Sequence, residues 1–242
     1  MRGLALAVVF TLVATEWFFV SGCDSAQERN DQPRMLLHYT FDADDGTRVV
    51  DESGEGNDGT LFGATPTAGR GGGALLFNGT DAYVATGPLD QIGTAWSVAL
   101  WFKSEALEDG RSLFEGNWAD DFVAPSEGLT IDTGVNGGGY VGFNLGRHGA
   151  LIAGTNAASW HHVAVVFDEG TATAYYDGRK SCAFGDFTSP ASFSNVQIGR
   201  GTAPGVWRDV LPGYFRGQLD DIRVYDGALD WVDVGDIVFA GK

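Results

Sequence analysis

Cysteine, methionine, proline and positive charge are all scarce in this 242-residue chain: two Cys, two Met, seven Pro, and 15 Lys and Arg against 32 Asp and Glu. Two cysteines cannot supply the paired-cysteine pattern of a structural zinc site or the framework of a disulfide-stapled small domain. The formal net charge of −17 repels nucleic acid phosphates and anionic membrane surfaces, so nucleic acid is not an expected partner. Helical spacing of apolar residues is also missing everywhere except the tail, which argues against a helical architecture. Glycine fills the chain instead, 36 residues, with aromatic and β-branched side chains throughout. Many short strands joined by tight turns follow from that mixture, and the length suits one all-β domain. The acidic excess has two readings, a soluble surface or a set of cation sites, and composition does not separate them.

The first residues stand apart from any fold. Arg2, the apolar run Leu4 to Val13 and the cluster Trp17, Phe18, Phe19 and Val20 have the basic start and greasy centre of a secretory signal. Val20-Ser21-Gly22-Cys23 resembles the bacterial lipobox, in which small residues precede a cysteine that is acylated and becomes the mature N-terminus. Glu16 interrupts the apolar run and argues against a retained transmembrane helix, where its carboxylate would sit in hydrocarbon. The expected organisation is a signal peptide over 1–22, a lipidated Cys23 with a polar tether over 23–34, and one domain over 35–242. The expected location is the bacterial cell envelope, with the exported protein held to a membrane through its N-terminal lipid and the leaflet left open. Cys182 is then a small buried apolar residue or, if Cys23 is not acylated, its disulfide partner.

Strand signals recur at short spacing from Leu36 to Phe41 onward, including Trp96 to Phe102, Leu129 to Asp132, Tyr140 to Leu145 and Phe215 to Tyr225. The clearest hairpin runs from His162 to Tyr176, where Asp168-Glu169-Gly170 turns a buried run back on itself. Trp96, Trp101 and Trp160 are assigned to the core. Asp230 to Ala240 alone has helical spacing, with Trp231, Val234 and Val238 on one stripe and Asp230 as a candidate N-cap.

His38-Tyr39-Thr40-Phe41-Asp42, the run Gly72 to Val84, Trp160-His161-His162-Val163-Ala164, Tyr176-Asp177-Gly178 and the run Gly217 to Tyr225 follow one another in an order that resembles the LamG-like jelly-roll family of the laminin-G and concanavalin-A-like lectin and glucanase superfamily. The resemblance covers 35–242. It implies an all-β, two-sheet antiparallel jelly-roll sandwich with N- and C-terminal strands side by side, a short C-terminal helix or turn, and often a structural calcium ion at one edge. Pairing the terminal strands would gather oxygen ligands from Asp42, from Asn78 and Asp81, and from Asp220 and Asp221, the hard-donor set that calcium prefers. Neighbours in a strand point to opposite faces, so Asp220 and Asp221 can share an ion only if the strand is bulged there. The alternative is that these acids cap turns and pair with Arg216 and Arg223.

No catalytic constellation is found. Glu-x-Asp-x-x-Glu, the two-carboxylate spacing of glycoside hydrolases on this sandwich, is missing, as are His-Glu-x-x-His and Gly-x-Ser-x-Gly. His161 and His162 are adjacent and cannot both face one ion. A cell-envelope binding module for glycans or polysaccharides is therefore expected, with Trp118, Tyr140, Trp207 and Tyr214 as ligand-stacking candidates in loop-rich segments. A structural or protein-adhesion domain bound to an envelope protein is the alternative, and a hydrolase or lyase comes third.

Overall fold

Short apolar alternations broken by glycine give strands almost throughout. The computed structural model describes residues 32–43, 46–89, 92–106, 111–116, 128–135, 138–146, 148–186, 193, 196–201 and 213–240. Six strands open the fold: β1 (Met35–Tyr39), β2 (Arg48–Val49), β3 (Gly59–Phe62), β4 (Thr65–Ala68), β5 (Gly73–Asn78) and β6 (Tyr83–Thr86). Next come β7 (Ala95–Ser104), β8 (Arg111–Gly116), β9 (Leu129–Thr133), β10 (Tyr140–Leu145), β11 (His148–Gly154) and β12 (His161–Asp168). The last are β13 (Thr171–Tyr176), β14 (Arg179–Phe184), β15 (Val196–Ile198), β16 (Arg200–Gly201), β17 (Gly213–Tyr214) and β18 (Arg216–Tyr225), before helix α1 (Trp231–Ala240).

The first sheet runs β14-β13-β12-β7-β18-β5-β4, with β1 also on β18, and the second runs β11-β10-β9-β8-β15-β6-β3-β2. Pairing is antiparallel in both, as the jelly roll requires. β18 pairs with β7 on one side and with both β5 (Arg216 to Leu219) and β1 (Ile222 to Tyr225) on the other, so the terminal strands do lie side by side. Glu169 and Gly170 both have positive φ, 42° and 84°, and close the β12–β13 hairpin as a two-residue turn whose twist matches the strands.

Inward side chains of both sheets form one core that includes Leu37, Phe77, Leu100, Phe114, Phe143 and Val165. Trp96 stacks on Phe167 at 5.3 Å between ring centroids and meets the Phe193 edge at 5.4 Å. A second apolar layer lies on the outer side of the first sheet, where Ala99, Ala164, Val166, Tyr175 and Tyr225 are covered by Leu229, Val234 and Ile237. Asp230 caps α1 as expected: its Oδ1 accepts from the N–H of Val232 at 2.7 Å and of Asp233 at 2.9 Å, while Asp233 Oδ2 accepts from the Asp230 N–H at 2.9 Å.

Three side chains depart from expectation. Trp231 is 72% exposed, because Val234, Ile237 and Val238 already fill the contact with the sheet. Trp101 is buried on the outer face of the first sheet, under the Arg70 guanidinium 3.9 Å from its ring centroid, rather than between the sheets. Trp160 is half-buried and lies outside both core clusters.

Candidate functional site

Strand alternation sends Leu61, Val84, Ile198, Phe114, Ile131 and Phe143 into the core, so their neighbours in sequence line the outer face of the second sheet. The register aligns Gln197, Glu115, Thr130 and Asn144 across four adjacent strands, over roughly 14 Å at the usual strand spacing. Ser112 and Asp132 form the next row. All six are buried, which is unusual for polar groups on the solvent side of a sheet. They are knitted together: Thr130 Oγ1 donates to Asp132 Oδ2 at 3.0 Å, and Asn144 Nδ2 reaches Thr130 Oγ1 at 2.9 Å and Asp132 Oδ2 at 3.2 Å. The Asn144 carbonyl oxygen is left without a hydrogen bond. A buried acceptor in that state is completed by a donor such as a water or a ligand hydroxyl.

The same face carries an aromatic group at its β3–β6 end. Phe62 and Tyr83 are stacked at 4.5 Å, and the Arg200 guanidinium lies 4.9 Å from the Tyr83 ring centroid and 5.7 Å from that of Tyr214. Gly199 has φ 78°, and a Cβ there would collide with the Phe77 ring. The short β16–β17 pair that follows it holds Arg200 opposite Tyr214. Of the four expected ligand-stacking residues, Tyr214 belongs to this group. Tyr140, 40% exposed, is on the same face at the other end, one strand register from the core residue Val141. Trp118 and Trp207 lie outside the described residues, as does Cys23. Phe62, Tyr83, Arg200 and the polar rows escaped the sequence reading, although Thr130 and Asn144 each lie between two core residues and Asp132 follows the core residue Ile131.

The five expected calcium ligands do not form one set. Asn78 and Asp81 stand at one end of β5, bound to each other: Asn78 Nδ2 donates to Asp81 Oδ1 at 2.7 Å, and Asn78 Oδ1 accepts from the Thr80 N–H at 2.9 Å. Asp42 and Asp220 reach the turn at the other end, Gly69 to Gly73. Asp42 Oδ1 accepts from the Gly73 N–H, and Asp220 Oδ2 accepts from the Arg70 N–H at 2.9 Å. The Phe41 and Gly73 carbonyls border the same turn, so closely that a Cβ on Gly73 or Gly69 would collide with them. Asp221 is engaged elsewhere, 2.8 Å from His38 Nε2 and 2.7 Å from Arg223 Nε. The strand is bulged between Asp220 and Arg223, with Asp221 at φ 49°, which turns both aspartates to the outer side. Among the described residues no group of three His, Cys, Asp or Glu side chains is arranged to hold a metal ion.

His161 and His162 face opposite ways as strand geometry demands. His161 Nδ1 lies 3.0 Å from Asp177 Oδ2 and its ring stacks on Tyr176, whose hydroxyl is pushed up to about 12 chiefly by burial. His162 is fully buried beside Trp101 with neither ring nitrogen hydrogen-bonded, and burial lowers its pKa to about 4. Cys182 is a free thiol, half-buried against the core, and burial pushes its pKa up.

No curated protein matches the sequence. Among solved structures, domain 4 of AbnA, a GH43 extracellular arabinanase from Geobacillus stearothermophilus solved with arabinotriose, superposes with a TM-score of 0.65 at 22% identity, covering 85% of this chain and 98% of that one. The binding domain of Paraclostridial Mosquitocidal Protein 1 gives 0.64 at 12% identity, over 86% of this chain and 52% of that one. Trypanosoma rangeli sialidase in complex with sialic acid gives 0.64 at 14% identity, over 86% of this chain and 33% of that one. At such identities the likeness establishes the sandwich and no more. The family model described as "Concanavalin A-like lectin/glucanases superfamily" matches residues 78–235. The chain belongs to the concanavalin A-like lectin/glucanases superfamily.

Proposed function

We propose that the domain is a glycan-binding module whose ligand lies along the outer face of the second sheet. The observation that carries this reading is the union, on one face, of an Arg200-linked aromatic group with buried polar rows that leave the Asn144 carbonyl without a hydrogen bond. Aromatic rings pack on the C–H faces of sugars, while amide and carboxylate oxygens accept from sugar hydroxyls. Half-exposed Tyr83 and Tyr214, with Arg200 between them, would supply the contact surface, and the buried Asn144 amide oxygen would take a donor only from a group that enters among the polar rows. The arabinotriose bound by the Geobacillus domain makes neutral arabino-oligosaccharides the first ligands to try.

In this reading the module is exported and held at the cell envelope by an acylated Cys23. A structural calcium ion sits at the Gly69 to Gly73 turn, where Asp42, Asp220 and the Phe41 and Gly73 carbonyls have the oxygen chemistry it needs.

Calorimetric titration of the protein with arabinotriose and longer oligosaccharides tests the assignment. Tyr83→Ala and Tyr214→Ala are each expected to weaken binding at least tenfold while the domain still unfolds in one cooperative transition. Undiminished binding in both variants would remove the face from consideration. Glu115 and Asp132 stand on neighbouring strands of this face, which makes hydrolysis the second reading, and reducing-sugar release in the same mixtures measures it directly.

A further inference from the structure

The two most exposed large apolar side chains among the described residues stand on one helix. Phe239 is 83% and Trp231 72% exposed, and both stand on α1. Positions 231, 235 and 239 are spaced by four and share one stripe, so the two rings flank Gly235, around which an added Cβ would meet nothing. The neighbouring side of the helix, Val234, Ile237 and Val238, is buried. An exposed Trp and Phe on one well-formed helix mark an interaction surface.

The root of the N-terminal segment lies beside this helix. Arg34 Nε pairs with Asp226 Oδ2 at 3.0 Å, the Asp226 N–H donates to the Arg34 carbonyl at 3.0 Å, and Pro33 packs against Gly227, just ahead of Trp231. We infer that the Trp231–Phe239 stripe docks on a lipid surface and lays α1 along the bilayer that holds the N-terminus. This rests on the acylation of Cys23 proposed above. The segment from Asp24 to Gln32 spans at most roughly 30 Å fully extended, so an acylated chain keeps α1 within that distance of the headgroups. Tethering makes the docking intramolecular, and a contact of two aromatic side chains then suffices. Trp and Phe suit the interfacial zone, and a helix about 15 Å long lies on a bilayer rather than spanning it. Asp230, Asp233 and Asp236 flank the stripe, so the surface it fits is zwitterionic and anionic lipid opposes it.

The test uses the full-length acylated protein in phosphatidylcholine vesicles with brominated acyl chains. Emission from Trp231, taken as the difference between wild type and Trp231→Phe, is expected to be quenched at least twofold by the bromines. Phe239→Gln, exposed enough to leave folding alone, is expected to abolish that quenching, and one-third phosphatidylglycerol to reduce it. Absence of Trp231 quenching, or equal quenching in Phe239→Gln, overturns the inference. The mass of the N-terminal peptide reports acylation independently: an unacylated Cys23 with Trp231 still quenched by added vesicles keeps the docking and removes the tether. A concentration-dependent dimer dissolved by Phe239→Gln, with Trp231 unquenched, gives the stripe to a second copy and overturns lipid docking.

Discussion

Arg223 grips Asp221 with two hydrogen bonds, Nε to Oδ1 at 2.7 Å and Nη2 to Oδ2 at 3.1 Å, and His38 Nε2 lies 2.8 Å from the same Oδ1. The aspartate is nearly inaccessible, with 3% of its side chain exposed, and Arg223 has 12%. Burial alone would raise the Asp221 pKa, but the hydrogen bonds from His38 and Arg223 outweigh it and hold the carboxyl below its ordinary 3.8. A depressed carboxylate stabilises the fold above the unfolded pKa and loses that contribution as pH falls through the folded one.

Removing one partner of such a buried pair leaves the other charge uncompensated. Asp221→Ala is expected to destabilise the domain by about 3 kcal/mol or more. Replacing both Asp221 and Arg223 with apolar residues is expected to cost less than the single change. Urea unfolding of the two variants at pH 7 compares them, and equal losses would show that the pair is not the source of the stability.

His162 sets a second acid dependence at higher pH. Burial holds the neutral ring, with a folded pKa of about 4 against 6.5 in the unfolded chain, while the Asp221 and Asp177 carboxylates oppose the drop. The unfolded state therefore binds more protons between these values, and stability falls as pH is lowered from about 6.5 to about 4. The full loss is on the order of 3 kcal/mol. His162→Leu removes the titrating group and is expected to flatten the slope across this window without loss at pH 7, because neither ring nitrogen makes a hydrogen bond there. Denaturant curves at pH 7, 5.5 and 4.5 measure it; an unchanged slope would place the acid sensitivity elsewhere.

The strands that could be read from the sequence are those whose two faces differ. β10 and β13 coincide with their expected limits, and of the expected Asp168-Glu169-Gly170 turn only Glu169 and Gly170 close the hairpin, Asp168 being the last residue of β12. β2, β3, β4, β11, β14, β16 and β17 lie outside the strands expected from the sequence: β2, β16 and β17 are two residues long, β3 is four residues, β4 and β14 are exposed edge strands and β11 is half exposed at the other sheet's edge, so apolar alternation is too short or too weak, and Pro66 is tolerated in β4 because an edge strand has free N–H positions. Val234 and Val238 were legible as the buried stripe of α1, yet helical spacing cannot say which margin of the stripe, the Trp231 side or the Ile237 side, meets the sheet. The candidate face was hidden for a related reason. Thr130, Asp132 and Asn144 read as ordinary outward positions of strands, and strand alternation encodes neither their burial nor their alignment across neighbouring strands.

Gly199 joins the core to the aromatic group. Its φ of 78° favours glycine, and a Cβ would run into the Phe77 ring, which is itself 1% exposed and packed on Phe215. Gly199→Ala is expected to destabilise by about 2 kcal/mol or more and to displace Arg200 from between Tyr83 and Tyr214. Oligosaccharide affinity should therefore fall together with the unfolding midpoint. A lowered midpoint with affinity intact would separate Arg200 placement from recognition.

Calcium discriminates between the two ends of β5. A six-residue strand holds its ends roughly 17 Å apart, so Asn78 and Asp81 cannot share an ion with Asp42 and Asp220. At both ends the side-chain oxygens accept from turn N–H groups, but only the Gly69 to Gly73 turn brings two carboxylates beside two backbone carbonyls. Phe41, at φ 60°, is held in a conformation that bulky residues rarely adopt, and a cation drawing on its carbonyl would offset that strain. An ion that binds only the native state stabilises it by about 2.7 kcal/mol at a hundredfold excess over its dissociation constant. Thermal unfolding in EDTA and across a calcium titration is thus expected to show a rising midpoint that Asp42→Ala abolishes and Asp81→Ala leaves intact. Loss of the rise in Asp81→Ala alone would move the ion to the other end of the strand, and a midpoint indifferent to calcium in the wild type would withdraw the ion and leave Asp42 and Asp220 bracing the turn through the Gly73 and Arg70 N–H groups.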